Sequence, residues 1–489
     1  MAATTTLPAT GGKGSDVLPV DRPLVVDLDG TLLRSDLLVE SFFSLLASRP
    51  VEALKAVFSL REGKAALKQR IAHAATLDIA RLPWNDEVVD FIVAERQRGR
   101  KVYLATAADH SLADAVAREL GLFDGVFASD GRTNLSGPRK AKILCETFGE
   151  GGFDYIGNEA VDIEVWEKAG GVLVANAPAS FFEQVRARFP QARALGSRKM
   201  RVRTYLKAIR VHQWLKNLLV AVPAVAAHQV GMPEIGAIIL AFFSFSLIAS
   251  SVYVTNDLID LGRDRAHSTK RNRPFAAGTI PVLHGLVMTP ALLLCGILLA
   301  LPVGLPFLGV LALYYAATLA YSTVLKRKMM LDVVVLAGLY GLRLLAGSVA
   351  VDIKLSAWLG AFALFIFTSL ALVKRCAELI ERSAAGLGNP SGRDYRLADL
   401  PMLAALAAAS GFTAILVFAL YVNSDAVRMA YDHPNRLWLI CVVLVYWLGR
   451  VLMLTQRNEM HDDPVIFAAT DRVSQVCAVL CGGILLASL

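Results

Sequence analysis

Metal-type cysteine pairs and an even spread of hydrophobic residues are missing from this chain, and its first residues do not read as a leader segment. Its six cysteines, Cys145, Cys295, Cys376, Cys441, Cys477 and Cys481, contain no Cys-x-x-Cys. Four of them lie within apolar runs, so they read as small hydrophobes rather than metal ligands. Residues 1–22, rich in Ala, Thr, Gly, Pro and Ser, lack the apolar core of a signal peptide and read as disordered. The soluble part is therefore expected to stay in the cytoplasm. Long hydrophobic runs are absent from the first 200 residues and crowd the rest. That asymmetry says more than the averages, 55% hydrophobic residues and a mean hydropathy of +0.50. At 489 residues the chain exceeds one ordinary domain. It divides into a disordered terminus (1–22), a soluble domain (23–195), a cytoplasmic linker (196–213) and a membrane domain (214–489). The net charge of +8 sits in short loops, which points to topology and anionic substrates and away from nucleic acid.

Apolar segments at about 218–230, 235–254, 282–302, 304–324, 330–351, 356–373, 400–422, 437–455 and 467–489 predict nine membrane-crossing helices. The basic stretches 198–216, 263–273, 326–328, 374–396 and 457–472 fall on one side of such a path, with less basic loops opposite. The excess of Lys and Arg makes that side cytoplasmic, together with the N-terminal domain, in an inner membrane.

Asn256-Asp257-Leu258-Ile259-Asp260, followed by Asp264-Arg265, ends the second apolar run. Carboxylates three and four apart share a helix face, about 5–6 Å from one another. Beside lipid such a cluster needs a cation, and Mg2+ takes one or two carboxylates and completes its shell with substrate phosphates. Arg265, His267, Lys270, Arg271 and Arg273 follow as donors for phosphate oxygens. A second polar cluster after the sixth span offers Lys374, Arg375 and Glu378, with Arg393, Asp394, Arg396 and Asp399 beyond. Lys374 and Glu378 alone would read as an ordinary surface pair. Arg343 lies about twelve residues into the fifth span, roughly 18 Å deep at 1.5 Å per residue. A buried arginine there reads as a partner for a lipid phosphate or diphosphate, against a structural ion pair. His461, Asp462 and Asp463, in a cytoplasmic loop with Asp471 and Arg472, could help a metal but read rather as a solvated loop.

The run Asn256-Asp257-x-x-Asp260-x-x-x-Asp264-Arg265 resembles the first aspartate-rich motif of the UbiA superfamily of intramembrane transferases. The resemblance covers about residues 200–489 and implies an all-α nine-helix transmembrane bundle with Mg2+-diphosphate at its cytoplasmic mouth. Ala266 to Pro274, Trp214-Leu215-Lys216-Asn217 and Lys374-Arg375-Cys376-Ala377-Glu378 are similar to the decaprenyl-phosphate phosphoribosyltransferase branch. That branch transfers from phosphoribosyl diphosphate to a polyprenyl phosphate. A second Asp-x-x-x-Asp, expected for a prenyl diphosphate donor, is lacking. By this resemblance Asn256, Asp257, Asp260 and Asp264 hold metal. Lys216, Asn217, Arg265, His267, Lys270, Arg271, Arg273, Lys326, Lys328, Arg343, Lys374, Arg375, Glu378, Asp394 and Asp399 bind substrate. A phosphoribosyl donor carries a second phosphate far from its diphosphate, which favours so many bases, and an anionic acceptor needs no strong general base. Two other classes stay open: a prenyltransferase with an aromatic or quinone-precursor acceptor, and a lipid-binding or transport protein without turnover. Membrane lipid is the implied surrounding, and a homo-oligomer is open.

In the soluble half, Leu24-Val25-Val26 reads as a strand running into Asp27-Leu28-Asp29-Gly30-Thr31. Aspartates two apart at a strand end suit an open α/β sheet, with Asp27 attacking phosphorus and Asp29 protonating the leaving oxygen. Thr106 ends a second strand, Lys140 follows, and Tyr155-Ile156-Gly157-Asn158 leads to Asp162. This order resembles the haloacid dehalogenase-like phosphatases over about residues 23–195. It implies an α/β Rossmannoid domain with a small helical cap over 36–85. Mg2+ would sit on Asp27, Asp29, Asn158 and Asp162, and phosphate on Thr106 and Lys140. Asparagine at 158 replaces the usual aspartate, although an amide oxygen still ligates.

Overall fold

The computed structural model describes residues 21–489 except 63, 131–132, 197–200, 230, 391–392 and 461–462. The disorder expected for the N-terminus and the readings of His461 and Asp462 thus fall almost wholly outside the described residues. The chain forms two compact units, one of residues up to Ala208 with Asp257–Gly285, the other of Ile209–Asn256 with Leu286–Leu489.

In the first unit β1 (Leu24–Val26), β2 (Val102–Asp109), β3 (Gly125–Ser129), β4 (Asp154–Gly157), β5 (Gly171–Ala175) and β6 (Arg193–Leu195) make one parallel sheet. Their order is β3-β2-β1-β4-β5-β6. β1 is apolar at every position and fully buried, as a central parallel strand covered on both faces must be. Leu24 stands opposite both Val102 and Asp154, so β1, β2 and β4 begin in register, and β1 and β4 end alongside β2. The order reverses between β1 and β4, and it is there that open α/β sheets form their ligand crevice. Helices α1 (Leu37–Ser48), α2 (Pro50–Phe58) and α3 (Lys64–Ala74) form the cap, packed on Leu45, Ala53, Ala56 and Ile71. α4 (Asp86–Gln97), α5 (His110–Leu120), α6 (Pro138–Phe148), α7 (Ile163–Trp166) and α8 (Ala179–Arg188) connect the strands, and α9 (Val202–Ala208) follows the sheet. The expected α/β domain with a helical cap is the fold found.

The second unit starts with a 3-10 stretch, Val211–Ala221, running into the short α10 (Val222–Ala226). Pro223 at its start has no N–H to give, so the segment expected to span at 218–230 is a short, irregular entry. Then come α11 (Met232–Ile259), α12 (Leu261–Ala266), α13 (Val282–Ala300), α14 (Leu305–Thr323), α15 (Leu331–Ala350), α16 (Ala357–Ala384), α17 (Leu400–Val422), α18 (Asp425–Ala430), α19 (Trp438–Gln456), α20 (Pro464–Thr470) and α21 (Arg472–Ser488). α12 and the start of α13 lie in the first unit.

Among the described residues seven helices are long and apolar enough to cross a membrane, and the α20–α21 pair, bent by 77°, makes an eighth. With the short entry segment this follows the predicted nine-segment plan. Leu294, Val442 and Val479 stand more than half exposed on these helices, as lipid-facing side chains do. The bend at Asp471 has a cause: its carboxylate accepts from Ser474 N to cap α21 and takes Arg450 of α19 at 2.6 and 3.1 Å. Gly347 on α15 allows the entry segment to come close, since a Cβ there would stand 1.9 Å from the Val220 carbonyl oxygen.

Candidate active sites

The first site lies at the adjoining ends of β1, β2 and β4. Lys140, from the first turn of α6, donates to Asp27 Oδ1 at 2.6 Å and to the Tyr155 hydroxyl at 2.9 Å. That hydroxyl donates in turn to Asp162 Oδ1 at 2.8 Å. Thr31 Oγ1 stands 3.2 Å from Asp27 Oδ2 and 3.0 Å from Asn158 Oδ1. A carboxylate oxygen and an amide oxygen therefore converge on one point, a hard-oxygen pair that fits Mg2+. Gly30, at φ +78°, is needed here: a Cβ would meet the Asn158 side chain at 2.2 Å. Asp162 accepts the N–H groups of Asn158 and Glu159, so it shapes the loop that presents Asn158. Thr106 is fully buried, and its hydroxyl accepts from Ala108 N.

The two aspartates differ in environment. Burial pushes the Asp27 carboxyl up to about 6, and Lys140 restrains the rise. Burial, with Asp36 nearby, raises Asp29 well above the usual carboxylate range, while Leu37 N donates to it at 2.7 Å. One carboxyl thus lies beside a cation, and the other is held more strongly toward its protonated form. Both line a cavity of about 370 Å³ with Arg34, Lys68, Lys140, Asn158 and Asp162.

The second cluster is the aspartate-rich turn. Arg273 Nη1 lies 3.1 Å from Asp257 Oδ1 and 2.7 Å from Asp264 Oδ2, so two carboxylates converge on one positive position. An oxygen-only donor set closing on a cation suits Mg2+ equally well. Asp260 is nearer solvent, 3.3 Å from Arg263. Among the described residues no three His, Cys, Asp or Glu side chains form a ready metal cage, so substrate oxygens would have to complete either shell. Arg265 makes a buried two-pronged ion pair, 2.7 Å in each prong, with Glu40 of α1. His267, Lys270 and Arg271 are exposed.

The third cluster belongs to the second unit. Asp463, the N-cap of α20, takes Lys216 at 2.8 Å and Lys374 at 2.6 Å on one oxygen, and the Tyr340 hydroxyl at 3.0 Å on the other. Burial opposes its ionisation, but the two lysines overcome that and hold Asp463 well below the usual carboxylate range. Burial, with Lys374 close by, pushes Lys216 down to about 7 in spite of Asp463. Arg343 donates to Asn217 Oδ1 at 2.9 Å and to the Tyr314 hydroxyl at 3.2 Å, beneath the rings of Phe245, Tyr314 and Tyr340. Asn217 itself is held by Ser246.

The remaining candidates make contacts of their own. Arg375 is buried against Asp332, 3.2 Å away, and pairs with Glu378, while Arg393 bridges Asp332 and Glu378. Asn256 donates to Ser322. Lys326 is half-buried, Lys328 and Asp394 are exposed, and Asp399 caps its own turn at Arg396 N. Sequence reasoning missed Asp463 as a hub and Glu40 as the partner of Arg265. Neither had a local signal, because their partners lie far along the chain. A separate apolar cavity of about 630 Å³ in the second unit is lined by Leu218, Val222, Leu359, Phe362, Phe418 and Leu444, among others.

The UbiA prenyltransferase family matches residues 217–470, about half of the chain. An uncharacterized protein of Sinorhizobium fredii is 37% identical over 460 residues, 92% of this chain and 88% of that protein. The decaprenyl-phosphate phosphoribosyltransferase of Mycolicibacterium smegmatis is 30% identical over 289 residues, 58% of this chain and 91% of its own. A solved UbiA homolog from Archaeoglobus fulgidus, bound to GPP and Mg2+, aligns with 57% of this chain and 99% of its own at TM-score 0.45 and 16% identity.

Proposed function

Since the chain belongs to the UbiA prenyltransferase family and is a multi-pass membrane protein, we propose that it transfers 5-phosphoribosyl from phosphoribosyl diphosphate to a polyprenyl phosphate. One observation carries the choice of donor. Lys216 and Lys374 share the single carboxylate of Asp463, which leaves a surplus of positive charge there. A donor with a phosphate in addition to its diphosphate can use that surplus, whereas a prenyl diphosphate brings only a hydrocarbon beyond its diphosphate. The similarity to proteins named decaprenyl-phosphate phosphoribosyltransferase supports the same choice.

In this reading Asp257, Asp260 and Asp264 would hold Mg2+, which would supply charge neutralisation for the departing diphosphate. Lys216 and Lys374 bind a phosphate group, with Arg343, fixed by Asn217, as a further cation of the same cluster. An acceptor phosphate oxygen attacks the anomeric carbon as its bond to diphosphate breaks. The acceptor is already ionised, so no side chain has to remove a proton. The 630 Å³ apolar cavity is the candidate receptor for the isoprenoid chain.

The soluble domain is proposed to hydrolyse the 5-phosphate from the product. Asp27 attacks phosphorus, the bond to the sugar oxygen breaks, and Asp29 gives that oxygen its proton. Water then releases inorganic phosphate from Asp27, while Lys140 offsets the phosphoryl charge. We place both activities on the cytoplasmic face of an inner membrane, on the basis of the Lys and Arg asymmetry.

The test is mass spectrometry of lipid products after incubation with polyprenyl phosphate and either phosphoribosyl diphosphate or a prenyl diphosphate. A ribosylated lipid from the first donor is expected, together with loss of turnover of at least about a hundredfold in Asp257→Asn. A prenylated product alone would replace this reading with the aromatic-acceptor one.

A further inference from the structure

The phosphatase cavity has a wall that the soluble domain's own motifs do not provide. Pro281, Val282, Leu283 and His284 line it, opposite Asp27, Asp29 and Lys140. These residues come more than a hundred positions after the last motif and include the first turn of α13, one of the apolar helices of membrane-crossing length. Their stretch is fastened within the first unit at three points. Arg265 grips Glu40 with both prongs and also donates to the Ala276 carbonyl, and Ser35, on the cavity wall, donates to Glu40. Gly278, at φ +66°, lies so close to Arg34 and Pro83 that a Cβ would meet their side chains at 2.9 and 3.0 Å. His284 Nδ1 stands 2.8 Å from the Tyr205 hydroxyl, with the two rings stacked at 22°.

A cavity of about 370 Å³ is of the size that encloses a small-molecule ligand, well beyond a phosphate group alone. Its wall is mixed. Arg34, Ser35, Lys68, Glu159 and His284 offer hydrogen bonds suited to sugar hydroxyls, while Val39, Val161, Pro281, Val282 and Leu283 are apolar. Leu283 is 59% exposed, an apolar side chain left at the cavity rim. A free sugar phosphate has no use for that surface, and an amphiphile does.

We propose that the 281–284 turn is the substrate-selecting wall of the phosphatase, which takes the phosphomonoester of a lipid-linked sugar in preference to a free sugar phosphate. His284 recognises the sugar and Leu283 receives the start of the lipid. This rests on the phosphatase reading above.

The test uses the full-length protein in detergent and synthetic farnesyl-phosphoryl-ribose 5-phosphate, so that it does not depend on the transferase. Phosphate release is compared with that from free ribose 5-phosphate and from acetyl phosphate, in wild type, Leu283→Asp, His284→Ala and Asp27→Asn. The lipid-linked substrate should show the higher kcat/KM, by at least about tenfold over ribose 5-phosphate. In Leu283→Asp and His284→Ala the ratio of lipid-linked to acetyl phosphate turnover should fall by about tenfold. Equal kcat/KM for lipid-linked and free ribose phosphates, or a fall in overall turnover with the ratio unmoved, overturns the proposal while leaving the phosphatase intact. Absence of any Asp27-dependent phosphate release overturns the phosphatase reading itself, a distinct result. Leu283 is exposed, so its variant keeps the test open should His284→Ala fail to fold.

Discussion

Asp463 binds three partners through two oxygens, and each comes from a different segment: Lys216 from the entry stretch, Tyr340 from α15 and Lys374 from α16. Replacing it by asparagine leaves two lysines crowded together without their anion. Removal of one partner from a buried ion pair costs about 3–5 kcal/mol, and somewhat less is expected here because Lys374 is partly exposed. Asp463→Asn should therefore lower the thermal midpoint of the purified protein and weaken donor binding, both measurable on one sample. Lys216 gives a pH prediction. With its pKa pushed down to about 7, it holds its charge below that pH and loses it above. Anion binding favours the charged form, so KM for the phosphate donor should rise between pH 6.5 and 8.5. Lys216→Arg should flatten that rise, because a guanidinium stays charged. A KM that is level with pH in wild type would show that Lys216 does not meet the donor. Arg343 was legible as a buried site from its apolar neighbours alone, whereas Asp463 looked like a solvated loop residue. The difference is physical: burial of Arg343 follows from its own helix, but burial of Asp463 follows from partners about 90 to 250 residues away along the chain.

The stretch from Asp257 to Gly285 is the element whose role changed most between sequence and structure. Its bases were expected to line up as phosphate donors, yet Arg265 turns inward to Glu40 and Arg273 lies between Asp257 and Asp264. Composition could not show this, because an arginine free for phosphate and one held by a distant glutamate look the same in a string of letters. The pair should behave as a structural unit. Glu40→Ala leaves Arg265 buried and unpaired, and should lower stability by about 3 kcal/mol, as should Arg265→Met through the stranded glutamate. The double variant should be less destabilised than the sum of the two singles, and a denaturation double-mutant cycle reads this directly. Additive losses would mean that the two side chains do not depend on one another. The spans were far more legible. Most of their apolar runs mark where helices lie to within a few residues, although α16 continues to Ala384, well past the expected end at 373, and the two irregular places have local causes, Pro223 in the entry segment and Asp471 at the bend.

At the scale of the whole chain, the proposed function joins two kinds of phosphate chemistry, and the pairing has a thermodynamic reason. Transfer from phosphoribosyl diphosphate releases diphosphate, and the product still carries the 5-phosphate by which the transferase holds its sugar. Added diphosphate can therefore run the transfer backwards. Hydrolysis of the 5-phosphate removes that anchor, and because both activities belong to one chain the intermediate meets its second site at high effective concentration. The 460-residue match to the Sinorhizobium fredii protein is too long for the membrane half alone, so both halves of the chain have counterparts in that protein. Asp27→Asn is the variant that separates the two steps. It should leave the initial rate of ribosyl transfer intact and accumulate lipid that bears the 5-phosphate, seen by mass spectrometry as one extra phosphate group. After a chase with diphosphate, the lipid made by this variant should disappear and phosphoribosyl diphosphate should reform, while wild-type lipid should persist. The chase depends on reversal rather than on forward rate, so a merely slower Asp27→Asn enzyme would not reproduce it. Lipid from both proteins surviving the chase equally would remove the reason offered here for joining the two halves.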